Sequence, residues 1–475
     1  MPRHVIIGGG PVATNAVETI RQMETEASQI ILISDEPAHS RMALPYWLAG
    51  KIPREHTYTG DDQYFKKLDV ETRFGPRVTS IDPRGNRLTL DDGNSLEFDN
   101  LLIATGASPR QLDIPGVDLP GVQPMWSLAH IESALQAVDG IEKPRAVLIG
   151  AGFVGFIVLN AMFKRGWQIA VVEQQAQVLP RMLDADSARI VQDWLGKKNV
   201  RVHTSTTVKQ IRQVNDRTKV VELDNGLDNG QQLEAELVII AVGIAPNLTL
   251  LDGLGLDGLG LDGLGIQTDE GILVNDRMQT NFPHIYAGGD VAQSRVMFSD
   301  RPEIHAIQPT AVDHGRVAGA NMAGQDVSYP GSLLMNVVDV CGLQCASFGN
   351  WNDTTAEATT ISNANGSIYR KFLWTGDQMT GAIFVGRAKD LGMLTDVGMV
   401  KGMLQTQTPL GEWKGFLQKN PFDVRRAYIG AGVASRLSGA TLLGFPTRPR
   451  QFHFGDAKPA TKQGPAHDSY VGTKT

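Results

Sequence analysis

Apolar residues in this chain gather in short unbroken runs that end at glycine, and two stretches repeat the arrangement. In the first, Val5-Ile6-Ile7 enters Gly8-Gly9-Gly10-Pro11-Val12-Ala13, helical spacing then runs to about Met23, and Ile30-Ile31-Leu32-Ile33 leads to Asp35. In the second, Val147-Leu148-Ile149 enters Gly150-Ala151-Gly152-Phe153-Val154-Gly155, helical spacing extends to Arg165, and Ile169-Ala170-Val171-Val172 ends at Glu173. Runs without polar alternation predict strands buried on both faces, as in a parallel sheet covered by helices. Each stretch therefore predicts a strand, a glycine turn, a helix and a second strand ending in an acid.

Leu101-Leu102-Ile103-Ala104-Thr105-Gly106 and Val238-Ile239-Ile240-Ala241-Val242-Gly243 share another shape, a strand running into a turn. A tandem Leu-Asp-Gly-Leu-Gly repeat then begins at Leu251, Leu256 and Leu261. It reads as a glycine-rich permissive loop; a calcium-binding repeat is the alternative, but its ligand spacing is wrong. From about Tyr329, shorter β-like runs at 334–340 and 381–386 predict a separate α+β domain reaching roughly Leu443. The tail 446–475, rich in Pro, Lys, Gly, Ser and Thr, predicts disorder.

Composition narrows the function classes. A length of 475 residues accommodates two or three domains, and 42% apolar with 20% charged residues is ordinary for a soluble protein. Basic residues number 44 against 51 acidic ones, for a formal charge of −7, which leaves no basic excess for nucleic acid. Cys341 and Cys345 are the only cysteines, so a four-cysteine zinc site or cysteine-held iron–sulfur cluster cannot form within the chain. No metal is expected, and a reducing compartment, the cytoplasm, is the simpler reading. No stretch reaches the roughly 18 apolar residues of a membrane span, and the opening run is too short for a secretory signal.

The glycines carry the first chemical signal. Gly8 and Gly10 permit a tight turn and close approach of a pyrophosphate, whose charge the following helix N-terminus stabilises, with Ala13 in place of a third glycine. Asp35 or Glu36 is placed to accept from an adenosine ribose. Gly150, Gly152 and Gly155, with Phe153 and Val154 between them, repeat the turn, and Glu173 is the second ribose acid. A carboxylate there repels a 2′-phosphate, and Gln174-Gln175 brings no arginine, so NADH is favoured over NADPH.

Together with these units, Ala104-Thr105-Gly106-Ala107 and Thr280-Asn281-Phe282-Pro283-His284-Ile285-Tyr286-Ala287-Gly288-Gly289-Asp290 resemble the FAD-dependent pyridine nucleotide-disulfide oxidoreductase family over roughly 1–324. The resemblance implies FAD and NADH as cofactors. It implies that Asp290, after Gly289, bonds the flavin ribityl chain, and that a helix starting near Gln308-Pro309-Thr310-Ala311 points its N-terminus at the flavin ring. That dipole end stabilises negative charge developing on the ring. Thr310 and Ala311 therefore join the FAD set with Val78, Ala104, Thr105 and Gly106, and Gly243 joins the NAD set.

Two departures define the expected chemistry. In His39-Ser40-Arg41-Met42-Ala43-Leu44-Pro45, similar to the segment that supplies a redox cysteine in NADH peroxidases and coenzyme A disulfide reductases, Met42 falls at the cysteine position. A thioether forms neither thiolate nor mixed disulfide. Arg41 resembles the FAD-contacting arginine of nitrite reductase flavin domains and ferredoxin reductases; a solvated surface arginine is the alternative. Ile157 replaces a glutamate that many relatives carry in the helix after the second glycine turn, leaving hydride positioning to packing. Cys341 and Cys345 read either as a redox pair on facing hairpin strands or as two buried thiols, and His305 and His314 as proton donors or structural residues.

The expected fold is α/β: two Rossmann-like dinucleotide-binding domains, for FAD (1–120 with 245–325) and for NAD (121–244), followed by a C-terminal α+β domain (326–445). The expected activity is hydride transfer from NADH to flavin and on to a small-molecule or protein acceptor, an iron–sulfur carrier or oxygen, without a redox disulfide. An NADH-responsive signalling flavoprotein and a dithiol reductase using Cys341 and Cys345 are the alternatives. A homodimer stays open.

Overall fold

The structure, a computed structural model, describes residues 1–226, 230–251 and 265–437. The Leu-Asp-Gly-Leu-Gly repeat, except for Leu251 and Gly265 at its ends, and the tail 446–475 lie outside the described residues.

The two repeated stretches form two parallel five-stranded sheets with the same arrangement around the central strand, though the outer strand Val122–Gln123 of the second precedes its central strand whereas Ile285–Ala287 of the first comes late in the chain. In the first, Arg3–Ile7 is central, flanked by Gln29–Ser34 then Val70–Phe74 on one side and Asn100–Ile103 then Ile285–Ala287 on the other. In the second, Arg145–Ile149 takes the central place between Gln168–Val172 with Arg201–His203 and Leu237–Ile240 with Val122–Gln123. The unbroken apolar runs explain the burial: Val5, Ile6, Leu101, Leu102, Ile103, Leu148 and Val171 are inaccessible to solvent, as sheets covered on both faces require. Three-stranded antiparallel sheets sit beside each, Val78–Asp82 with Arg87–Leu90 and Ser95–Glu97, and Thr207–Gln213 with Lys219–Asp224 and Gln232–Ala235.

The chain passes between the two sheets as an antiparallel ribbon, Ala107–Pro109 against Ile244–Pro246. Asn247 staples it: its amide donates to the Thr105 carbonyl at 2.8 Å, its backbone N–H donates to the Gly106 carbonyl at 3.0 Å, and the Thr105 hydroxyl donates to the Asn247 carbonyl at 3.2 Å.

The C-terminal part is an antiparallel sheet in the order Met335–Val340, Leu343–Gly349, Gln378–Arg387, Ile368–Thr375, Glu357–Asn363. One face, through Phe348, Phe372 and Phe384, packs under helices that include Leu391–Thr406 and Val424–Gly430. The other, through Val338, Leu343, Cys345 and Val385, joins the core of the second parallel sheet with Phe156 and Leu159. Alternation along each strand produces these two buried faces.

Candidate active site

Each glycine turn is shaped by contacts that only glycine tolerates. Gly8 (φ 112°) and Gly150 (φ 101°) lie in the left-handed region, and a Cβ on either would collide with a carbonyl, of Ala104 or of Ala241 respectively. The equivalence of the two collisions shows that both units fold by one geometry. Gly155 is required for packing, because a Cβ there would lie 2.5 Å from the Gly150 oxygen. Ala13, in the corresponding place of the first unit, is fully buried. Gly10 and Gly152 differ: nothing lies within 4 Å of a Cβ on either. Their glycine character leaves open space in front of the helix ends.

Among the helices whose N-termini carry no side-chain cap are Pro11–Met23, Phe153–Lys164 and Gln308–Met322. Helices that follow Asp61, Ser127, Asp184, Asp390 and Asp423 each have one. Uncapped first-turn N–H groups with a positive dipole end suit an external anion or polar acceptor. The first and third of these helices are brought together by Gly315 and Gly319. A Cβ on Gly315 would strike the Val12 oxygen, and one on Gly319 would lie 2.7 Å from the Ala16 oxygen. Between their N-terminal ends lies the turn Gly289–Val291, where a Cβ on Gly289 would approach Val12 Cγ2 to 2.7 Å.

The Asp290 carboxyl has no hydrogen-bond partner among the described residues. Burial pushes it up to about 6, against the lowering pull of Arg41. Thr310 and Ala311 are buried in the first turn of the adjoining helix, and the Thr310 hydroxyl lies 3.0 Å from His305 Nδ1. Arg41 is held by Trp126: its Nη1 donates to the Trp126 carbonyl at 2.7 Å and its guanidinium covers the Trp126 ring at 5.1 Å. Met42, 44% exposed, follows in the short helix Arg41–Ala43, which joins Leu44–Leu48.

The acids at the strand ends are engaged differently. Asp35 is exposed and paired with Arg77 at 2.6 Å, whereas Glu36 faces His39 Nε2 at 3.4 Å and Arg41 at 4.0 Å. Glu173, 6% exposed, accepts from the Ala151 N–H at 2.7 Å and the Gln175 N–H at 2.8 Å, which ties the second strand to the glycine turn. His203 alongside is held below its usual value by burial and by Arg201, so it brings no charge there. Val78 begins the first antiparallel sheet, half-buried. Phe153, half-buried, and Val154, exposed, open the second helix, Ile157 packs partly buried into its core, and Gly243 (φ 115°) starts the ribbon.

The cysteines are not on facing strands. Cys341 (φ 53°) and Gly342 form the two-residue hairpin turn, and Cys345 lies opposite Val338. A turn with two positive φ values matches the twist of the strands and places the first cysteine outside the ladder. Both thiols are free and buried; burial pushes Cys341 up to about 12 and Cys345 further still. His305 and His314 are buried and neutral, at about 4 and about 3, through desolvation.

Trp126, Asn247, Gly315 and Gly319 were not among the residues singled out by pattern. The four-residue spacing of the last two, on one helical face, was the available signal.

Residues 2–315 match the pyridine nucleotide-disulphide oxidoreductase family. The chain belongs to that family. It is 28% identical over 429 residues to the epsilon subunit of an NADH-dependent phenylglyoxylate dehydrogenase of Aromatoleum evansii, covering 89% of this chain and 96% of that one. It is 27% identical to a nitrite reductase [NAD(P)H] of Bacillus subtilis (strain 168) over 81% of this chain, and spans only 46% of that longer protein. The fold superposes on the covalent putidaredoxin reductase–putidaredoxin complex with TM-score 0.77 at 22% identity, covering 90% of this chain and 99% of that one. Membership of the family implies FAD and NAD(P)H, and the protein is an FAD-dependent NAD(P)H oxidoreductase. The residues present fit FAD: an open cradle at Gly10, two uncapped helix ends and an unpartnered carboxyl converge. No helix among the described residues is long and apolar enough to cross a membrane.

Proposed function

We propose that the protein passes electrons from NADH to a protein-borne iron–sulfur carrier without a thiol stage. FAD, when bound, accepts hydride from a nicotinamide and releases electrons singly. Gly8, Gly10 and the N-terminus of Pro11–Met23 would hold its pyrophosphate, with Glu36 or Asp35 at the ribose and Val78 and Ala104 alongside. Asp290, Thr310 and Ala311 would hold the ribityl and ring end, with Thr105 and Gly106, which Asn247 ties beside the ribbon. Gly150, Gly152 and Gly155 would cradle the NADH pyrophosphate. Glu173 favours NADH, because its buried negative charge at the strand end opposes a 2′-phosphate and no cation flanks it in Gln174-Gln175. In this reading FAD binds to 1–120 with 245–325 and NADH to 121–244, while the C-terminal sheet face carrying Val338, Leu343 and Cys345 closes over the second core.

One observation carries the thiol-free reading. The only two thiols of the chain are buried in a C-terminal hairpin with thiolate formation disfavoured, while Met42 occupies the segment beside Arg41. Hydride positioning rests on packing by residues such as Ile157, and Arg41 held on Trp126 presents a cation whose field reaches Asp290. The likeness to a reductase solved with its iron–sulfur partner and to a rhodocoxin reductase supports the carrier assignment. The test is anaerobic reduction by NADH followed by mixing with a ferredoxin, a rubredoxin, oxygen or coenzyme A disulfide. Fastest flavin reoxidation by an iron–sulfur carrier is expected; fastest reoxidation by the disulfide would overturn the proposal.

A further inference from the structure

We infer that His314 is a positioning residue for Asp290, holding the Gly289-Asp290 turn in the orientation that the proposed FAD site uses. The inference rests on the FAD reading above. Gly289 (φ 76°) presents its backbone N–H to His314 Nδ1, which accepts it at 3.1 Å. With Nδ1 an acceptor, the ring proton resides on Nε2, 3.1 Å from the Ser294 hydroxyl, to which it donates. Both ring nitrogens are thus committed to the protein, and no proton remains to be delivered to a ligand.

The imidazole is itself immobilised. It is 1% exposed, stands edge-on to Tyr329 at 4.8 Å and 88°, and its Cβ comes within 3.1 Å of where a side chain on Gly288 would begin. Burial holds it neutral at about 3. Protonation would set an Nδ1–H against the Gly289 N–H, donor against donor, so burial preserves the contact across ordinary pH. Asp290 follows Gly289 directly and its carboxyl has no partner of its own, so the backbone of the turn decides where it points. The histidine acts on the site through the turn.

The experiment is a double-mutant cycle on the full-length holoprotein, reading FAD release by recovery of flavin fluorescence. His314→Leu removes donor and acceptor at similar volume, and its FAD dissociation constant is expected to rise about tenfold or more, the cost of one misplaced charge-assisted hydrogen bond. His314→Gln keeps one acceptor and one donor and is expected to stay within about threefold of wild type. In an Asp290→Asn background, His314→Leu is expected to add little, because the two act as one unit. Additive losses in the cycle, or a Gln variant as impaired as the Leu variant, would overturn the inference. Should His314→Leu fail to fold, Ser294→Ala enters the same cycle, with a smaller but likewise non-additive loss expected. A wild-type protein that binds no FAD would refute the FAD reading itself, whereas normal FAD binding unaffected by His314 refutes only this inference.

Discussion

Replacing Gly152 by alanine separates ligand binding from folding. Gly152 is the N-cap of Phe153–Lys164 with φ −81° and ψ −177°, a conformation open to any residue, and a Cβ meets nothing within 4 Å. The fold therefore loses only the small difference between glycine and alanine at an N-cap, about 1 kcal/mol or less. For a protein of this size that is a melting shift of roughly 2 °C or less. The added methyl stands in the space in front of the uncapped N–H groups, where the NADH pyrophosphate belongs. Losing one charge-assisted hydrogen bond costs about 1.5–3 kcal/mol, or roughly 10- to 150-fold in the NADH KM. Gly150→Ala is the contrasting change. It puts a side chain at φ 101° and its Cβ 2.8 Å from the Ala241 carbonyl carbon. Strain of about 1–2 kcal/mol and overpacking of about 1–3 kcal/mol then lower stability as well. Thermal melting, FAD content and NADH titration of both variants give the readouts. An NADH KM within twofold of wild type in Gly152→Ala, or loss of FAD along with NADH affinity, would refute the reasoning.

Replacing both Cys341 and Cys345 by alanine should leave steady-state NADH oxidation within about twofold, since burial disfavours their thiolates; loss of turnover in a folded, yellow protein would revive the dithiol mechanism. His305 and His314 are neutral in the fold but titrate near 6.5 when unfolded, so the unfolded chain binds more protons and stability falls as pH drops from about 6.5 toward 4. Urea unfolding at pH 7 and pH 4.5 should show that fall, and His305→Gln should shrink it by about 1–2 kcal/mol; an unchanged slope argues against a buried neutral His305. Arg370 pairs with Asp396 at 2.6 Å, both side chains buried, with the guanidinium over Phe422 at 4.3 Å. Arg370→Ala strands the carboxylate and should cost about 3–5 kcal/mol in chemical denaturation, while Arg370→Met with Asp396→Leu should recover most of it; a single substitution costing under 1 kcal/mol would contradict this account.

Local sequence determined a good deal of this protein. Unbroken apolar runs such as Ile30-Ile31-Leu32-Ile33 specify strands buried on both faces, and a glycine turn after each first strand leaves the chain few ways to enter its helix. The start of Gln308–Met322 was legible through the family resemblance carried by the Gly-Gly-Asp motif, and the proline in its first turn suits a helix start. Tertiary structure alone decided matters that depend on two distant segments meeting. Which glycines are steric necessities and which hold space open is one: Gly8 faces Ala104 and Gly150 faces Ala241, whereas Gly10 and Gly152 face nothing. The cysteine pair is another, because a turn of two positive-φ residues, not the spacing of three, sets which thiol leaves the ladder. The roles of Trp126 under Arg41, Asn247 at the ribbon and His314 behind Gly289 likewise arise from contacts between remote segments or across a packed helix. Such contacts follow from packing geometry, and hydrophobic periodicity carries no record of them.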